Sequence, residues 1–138
     1  MQCLLDILKT EPDYARLLKA VQKGNLPIAA SGLSGVHKAL LSSALCVHTG
    51  KKLALITPDE HTALQIKGDI ESFGLKCILF SSRDYNTERV MGYSKEYEHK
   101  RTDTLSKLLG GDFDVLTLSI DAALQYTLPP EKLKAANF

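Results

Sequence analysis

Short apolar runs alternate with helical segments along most of this 138-residue chain, and that alternation restricts the folds it can adopt. The apolar runs are predicted strands, and they cover residues 26–30, 53–57, 77–80 and 115–118. Helix-forming sequence separates each run from the next, which favours parallel strands joined by right-handed helical crossovers. The chain is therefore predicted to be a single α/β domain over residues 1–138, with a parallel sheet flanked by helices.

The composition is that of an ordinary globular domain, with 44% apolar and 24% charged residues. A net charge of +1 gives no electrostatic reason to expect binding to nucleic acid or to an anionic membrane. No apolar run approaches the ~20 residues that span a bilayer. Three cysteines, widely spaced and in no metal-ligand pattern, indicate a reducing compartment, so we expect a cytoplasmic protein without a metal site. Cys46 and Cys77 lie in apolar segments and are predicted to be buried thiols.

Helical spacing of apolar residues and residues typical of helix ends predict the helices. The first runs from Tyr14 to Val21, with Asp13 as its N-cap and Gly24 as its stop. The next is predicted at about 38–48, and another is opened by Pro58 and Asp59 and closed by Gly74. The remaining helices are predicted at 94–109, at 121–125 and from 129 onward. The polar, irregular segment 81–93 is predicted to be a loop.

A glycine loop lies between the first predicted strand and the helix that follows it. A phosphate-binding P-loop reads Gly, four residues, Gly, Lys, then Ser or Thr. With Gly32 as the first glycine, His37 occupies the place of the second glycine, Lys38 that of the lysine and Ala39 that of the Ser or Thr. A histidine fills space that the phosphates need, and alanine has no oxygen to offer magnesium. The pattern therefore predicts a degenerate P-loop.

The nucleotide-binding positions that remain are Gly32, Gly35 and Lys38, and we expect them to have lost nucleotide binding. His37 could serve as a catalytic base, but no carboxylate lies nearby in the sequence to orient it and no nucleophile is evident. No catalytic residue is therefore predicted. The simpler interpretation of Lys38 is a solvated lysine at the start of a helix.

Other polar residues have structural explanations. His48, His61 and His99 show no spacing typical of metal ligands and are expected at the surface. Asp59 and Glu60 could form a paired-carboxylate site, but acidic residues are favoured in the first turn of a helix.

Arg83, Tyr85 and Arg89 in the predicted loop are the candidates for contact with DNA or a partner protein. The alternative is that they belong to an ordinary polar loop.

Several segments resemble, in order, one family. They are residues 32–35 before an apolar helix, 55–59, 83–86, 94–98, 118–125 and 128–130. Together they resemble the N-terminal region of the bacterial transcription-repair coupling factors (Mfd), the part similar to the excision-repair protein UvrB. The resemblance covers about residues 12–134.

This resemblance implies a P-loop, helicase-like fold similar to the first domain of UvrB, and a chain that is a truncated fragment of a longer protein. The implied role is a non-catalytic structural or regulatory module in transcription-coupled nucleotide excision repair. The implied partners are the other domains of the same protein and, for the full-length protein, DNA, RNA polymerase and UvrA, the last through the following domain. ATP and magnesium would serve the motor of the full-length protein, and no cofactor is expected here.

Two alternatives stay open from the residues alone. One is an active ATP-binding, helicase-type domain, against which His37 and Ala39 argue. The other is an unrelated α/β binding domain, in which the glycine loop is a tight turn between a strand and a helix.

Overall fold

A three-stranded parallel sheet forms the centre of the molecule. The computed structural model describes residues 2–82, 95–127 and 129–136. Its strands are β1 (Leu53–Thr57), β2 (Cys77–Phe80) and β3 (Val115–Ser119), in the order β1-β3-β2. Val115 of the central strand pairs with Leu53 on one side and Cys77 on the other. The parallel α/β architecture and three of the four predicted strands are thus confirmed.

Seven helices and one 3-10 turn accompany the sheet in the described ranges. They are α1 (Gln2–Ile7), the 3-10 turn (Leu8–Thr10), α2 (Pro12–Lys23), α3 (Gly35–Thr49), α4 (Glu60–Ser72), α5 (Lys95–Gly110), α6 (Ile120–Leu124) and α7 (Pro130–Ala136). Gly24 ends α2 with φ 73°, a left-handed conformation that favours glycine. The N-cap prediction for that helix is wrong: Glu11 is the N-cap and Asp13 lies inside the first turn, because Pro12 begins the helix earlier.

The predicted first strand, 26–30, is not a strand. Residues 25–30 have no regular secondary structure and are all exposed, with Leu26 65% and Ile28 39% accessible. Pro27 has no N–H to donate to a ladder, and no described strand lies beside this segment. The glycine loop therefore follows an extended coil, and the strand that would precede a P-loop is missing from the described structure.

Helices cover both faces of the sheet. On one face, α3 and α4 form a core with the odd-numbered residues of β1 and with the first residues of β2 and β3. Its buried members are Ala39, Cys46, Ile66, Ile70, Cys77 and Val115. On the other face, Phe80 and Leu118 pack against Ala122 of α6, with Leu105 of α5 beside them. The alternation of side chains along each strand produces this two-sided core.

The predictions for the thiols are confirmed. Cys46 and Cys77 are both buried, and burial is the main cause that raises the pKa of each thiol. Cys3 is exposed. Within the described ranges, no helix is long and apolar enough to cross a membrane.

Candidate functional site

The glycine loop turns sharply just before α3. Gly32 has φ 78°, in the left-handed region, while a Cβ built on it would meet no heavy atom within 4 Å. Gly35 is the first residue of α3 and also has open space around it. Gly32 is therefore required by the backbone conformation and not by the close approach of another group.

The first turn of α3 is not built as a phosphate cradle. Ser34 is the N-cap, but its side chain accepts no hydrogen bond from the helix backbone. Its Oγ lies 3.0 Å from Nδ1 of His37 instead. His37 and Lys38 are both exposed. The imidazole ring of His37 therefore lies against the N-cap side chain at the start of the helix. His37 occupies the position of the second P-loop glycine.

Ala39 points into the core. It is completely buried and belongs to the cluster that includes Ile66 and Ile70 of α4. In a P-loop this position carries the hydroxyl that binds magnesium. Here the Cβ packs against apolar side chains, so a hydroxyl at this position would enter the core.

An apolar groove of about 220 Å³ lies between α3 and the carboxyl end of β1. Its lining residues are Leu33, Lys38, Leu41, Ser42, Leu55, Ile56, Thr57, Pro58, Thr62 and Ile66. Lys38 is the one charged residue among them. The groove occupies the edge where parallel α/β sheets usually bind ligands, but it is smaller than the ~300–1,000 Å³ typical of small-molecule sites.

The groove opens onto a free edge of the sheet. The N–H of Leu53 donates to the carbonyl of Asp114. The backbone N–H and C=O groups of Leu53, and of every second residue after it along β1, therefore face β3. The N–H and C=O groups of Ala54 and Ile56 face the opposite side of β1, away from β3. The described part of the chain places no strand on that side. Both residues are exposed, Ile56 by 57%. The site therefore combines an apolar groove with unpaired backbone groups.

Asp59 and Glu60 do not act as a pair. The carboxylate of Asp59 caps α4, accepting from the N–H of Thr62 at 2.7 Å and from its hydroxyl at 2.9 Å. The backbone hydrogen bond from Thr62 is the main cause that holds the pKa of Asp59 below its usual value. Glu60 Oε2 accepts from the N–H and the hydroxyl of Ser82, at 3.2 and 2.9 Å. The expectation that the start of a helix explains these acids is confirmed, because Asp59 is the N-cap of α4 and Glu60 lies in its first turn. Glu60 in addition holds Ser82 after the end of β2.

Arg101 is a buried cation that sequence reasoning did not single out as a site residue. It is 6% exposed, and its guanidinium carbon lies 4.1 Å from the ring centre of Phe80. One of its nitrogens donates to the carbonyl of Ser81 at 2.9 Å and to the side-chain oxygen of Gln125 at 3.1 Å. Arg101 therefore joins α5, the end of β2 and the end of α6. Nothing in the charged sequence around it distinguishes an inward-facing arginine from its solvated neighbours.

The remaining predicted residues fall into two groups. Arg83, Tyr85 and Arg89 lie outside the described residues. His61 and His99 are exposed, as predicted. The surface prediction is wrong for His48, whose side chain is 2% exposed, because it packs against Tyr14 of α2. Among the described residues, no group of three or more His, Cys, Asp or Glu side chains could hold a metal ion.

Comparison with known proteins finds one relative with a related sequence. The chain is 24% identical to the transcription-repair-coupling factor of Bacillus subtilis over 132 residues. The match covers 94% of this chain and 11% of that protein. No family model matches, and no solved structure matches. The chain thus spans about a tenth of the length of the relative it matches.

Proposed function

We propose that this chain is a non-catalytic, UvrB-like unit of a transcription-repair coupling protein, acting in transcription-coupled nucleotide excision repair in the bacterial cytoplasm. The observation that carries this proposal is the match to the B. subtilis transcription-repair-coupling factor across 94% of the chain. The ordered segments that resemble this family support it. The unit serves structure and interdomain contact, whereas contacts with DNA, RNA polymerase and UvrA belong to the longer protein.

The geometry of the glycine loop supports a non-catalytic role. His37 lies against the N-cap residue, Ala39 is buried in the core, and the adjoining groove is lined mainly by apolar side chains. Lys38 is the one charged residue among those that line the groove, and a lone exposed ammonium is a weak phosphate site. These features favour the degenerate P-loop over the alternative of an active ATP-binding domain.

The free edge of β1 supports membership of a larger domain. Exposed Ile56 and the unpaired backbone groups beside it form the kind of edge that natural proteins cover or pair. We propose that the longer protein adds a further strand to the sheet. This strand would pair with the free edge of β1 and lie next to α3. Such a strand would fill the groove and cover Ile56.

A thermal melt with and without Mg-ATP tests the loss of nucleotide binding. We expect no change in Tm, for the natural chain or for Lys38→Ala. A functional site at a hundredfold excess of ligand over Kd would stabilise the protein by about 2.7 kcal/mol. In a domain of this size that would raise Tm by several degrees. A rise in the natural chain that Lys38→Ala abolishes would contradict the proposal and favour the ATP-binding alternative.

A chimera tests the proposed place in repair. Replacing the matched region of the B. subtilis transcription-repair-coupling factor with this chain should preserve transcription-coupled repair, measured as faster lesion removal from the transcribed strand. Ile56→Asp should leave the stability of the isolated chain nearly unchanged, because Ile56 is exposed there. In the chimera the same substitution should abolish repair, because it would bury a charge against the added strand.

Leu64→Asp is the matched control, since Leu64 is similarly exposed, at 54%, but belongs to α4 and not to the edge strand β1. A chimera that folds yet shows no repair would contradict the proposed function. Full repair with Ile56→Asp would contradict only the proposed strand.

A further inference from the structure

Residues 2–23 pack on α3 and not on the sheet. We call α1, the 3-10 turn and α2 the N-terminal cover. Its buried side chains, among residues 3–23, are Leu5 and Tyr14, and they form a cluster with Ala44 of α3. This cluster is separate from the two clusters on the faces of the sheet. Leu4 and Ile7 of α1 are about half exposed. Leu8 and Leu18 of the cover are half-buried against this cluster. The cluster is nevertheless small, a property typical of segments that open locally.

A polar junction, buried at Tyr14 and His48 and exposed at Asp6, holds the cover against α3. Nδ1 of His48 lies 2.7 Å from the hydroxyl of Tyr14, and Nε2 lies 3.4 Å from a carboxylate oxygen of Asp6. Burial raises the pKa of Tyr14 to about 12, so its hydroxyl keeps its proton at neutral pH and can donate to Nδ1. Nε2–H then faces Asp6 without meeting hydrogen-bond geometry. The carboxylate of Asp6 accepts from Lys9 at 2.9 Å. On opening, water replaces these partners, so the junction adds only a modest net free energy to the closed state.

The connection to α3 permits opening. Gly24 ends α2 in a left-handed conformation. Residues 25–30, which are exposed and have no regular secondary structure, connect it to the glycine loop. Movement of the cover would break no strand pairing, because none of its residues belongs to the sheet.

We propose that the N-terminal cover opens as one unit while α3, α4 and the sheet stay folded. Opening exposes the face of α3 around Ala44, where half-buried leucines and Val47 now pack against the cover. The cover is thus a conformational device that hides an apolar helix face. This inference is independent of the proposed role in repair.

Hydrogen exchange of the whole chain tests the proposal through two variants. Ile70→Val removes one methyl group from the core between α4 and the sheet and should lower the protection of β3 amides about fivefold. Ile70→Val should leave the protection of α2 amides unchanged. Those amides exchange through opening of the cover, which does not require the core around Ile70 to unfold. Tyr14→Phe removes only the hydroxyl at the His48 junction and should lower protection of both α2 and β3 amides about fivefold.

The natural chain should also show at least tenfold lower protection in α2 than in β3. Equal protection of α2 and β3, or a loss of α2 protection in Ile70→Val that matches the loss in β3, would show that the chain opens only as a whole. Either result would overturn the proposal.

Discussion

Ile70→Ala should destabilise the domain by about 3 kcal/mol, the largest effect we expect from a single substitution. Ile70 is completely buried on α4, in the cluster that joins α3 and α4 to the sheet. Truncation removes apolar contacts and leaves a cavity that the close-packed neighbours fill only in part. Chemical denaturation monitored by circular dichroism measures the free energy of unfolding, and Tm should fall by about 10 °C.

Leu64→Ala is the matched control for this substitution. Leu64 lies on the same helix but is 54% exposed, so its truncation should change the free energy of unfolding by no more than about 0.5 kcal/mol. If the two substitutions had similar effects, the face of α4 that packs on the sheet would have been assigned wrongly.

Ala39→Thr should destabilise the domain by about 2 kcal/mol and should not create a nucleotide site. The substitution restores the residue type of a P-loop, but Ala39 is completely buried against α4 and the sheet. The added methyl group overpacks the core, and the added hydroxyl loses its hydration. Denaturation gives the loss of stability, and a melt with Mg-ATP gives the nucleotide response.

Two further variants separate these effects. Ala15→Thr places the same substitution on the exposed side of α2 and should cost only about 0.5 kcal/mol of helix propensity. Ala39→Ser supplies a hydroxyl without the extra methyl group, so it should cost less than Ala39→Thr. A stable Ala39→Ser variant with a higher Tm in Mg-ATP would contradict our assignment of this position to the core.

Local sequence patterns predicted most of the elements correctly. The strands at 53–57 and 77–80 have the predicted bounds, and the third strand extends the prediction by one residue to Ser119. Asp59 before α4 and Gly24 after α2 correctly marked helix ends, because caps depend on residues a few positions apart. The six-residue helix α1 was not predicted, since it is too short to show a helical period.

The wrong predictions concern contacts between distant parts of the chain. The apolar run 26–30 has strand-like composition, yet a strand needs a neighbour, and the described sheet provides none there. His48 lies on a helix that is apolar on most sides, so its sequence neighbours do not reveal which residue it faces. Its partner, Tyr14, is 34 positions away. Arg101, for which no contact was predicted, likewise meets Phe80 and Gln125 from other elements.

Residue chemistry in the glycine loop can be read from the sequence alone, because a missing hydroxyl at Ala39 and a ring at His37 are properties of single residues. The same holds for the alternation of strands and helices, which follows from local apolar spacing. The sheet order, the burial of Ala39, the free edge of β1 and the Tyr14–His48 junction emerge only from the folded chain. Each depends on which distant surfaces meet, and that is decided by the packing of the whole core and not by any local pattern.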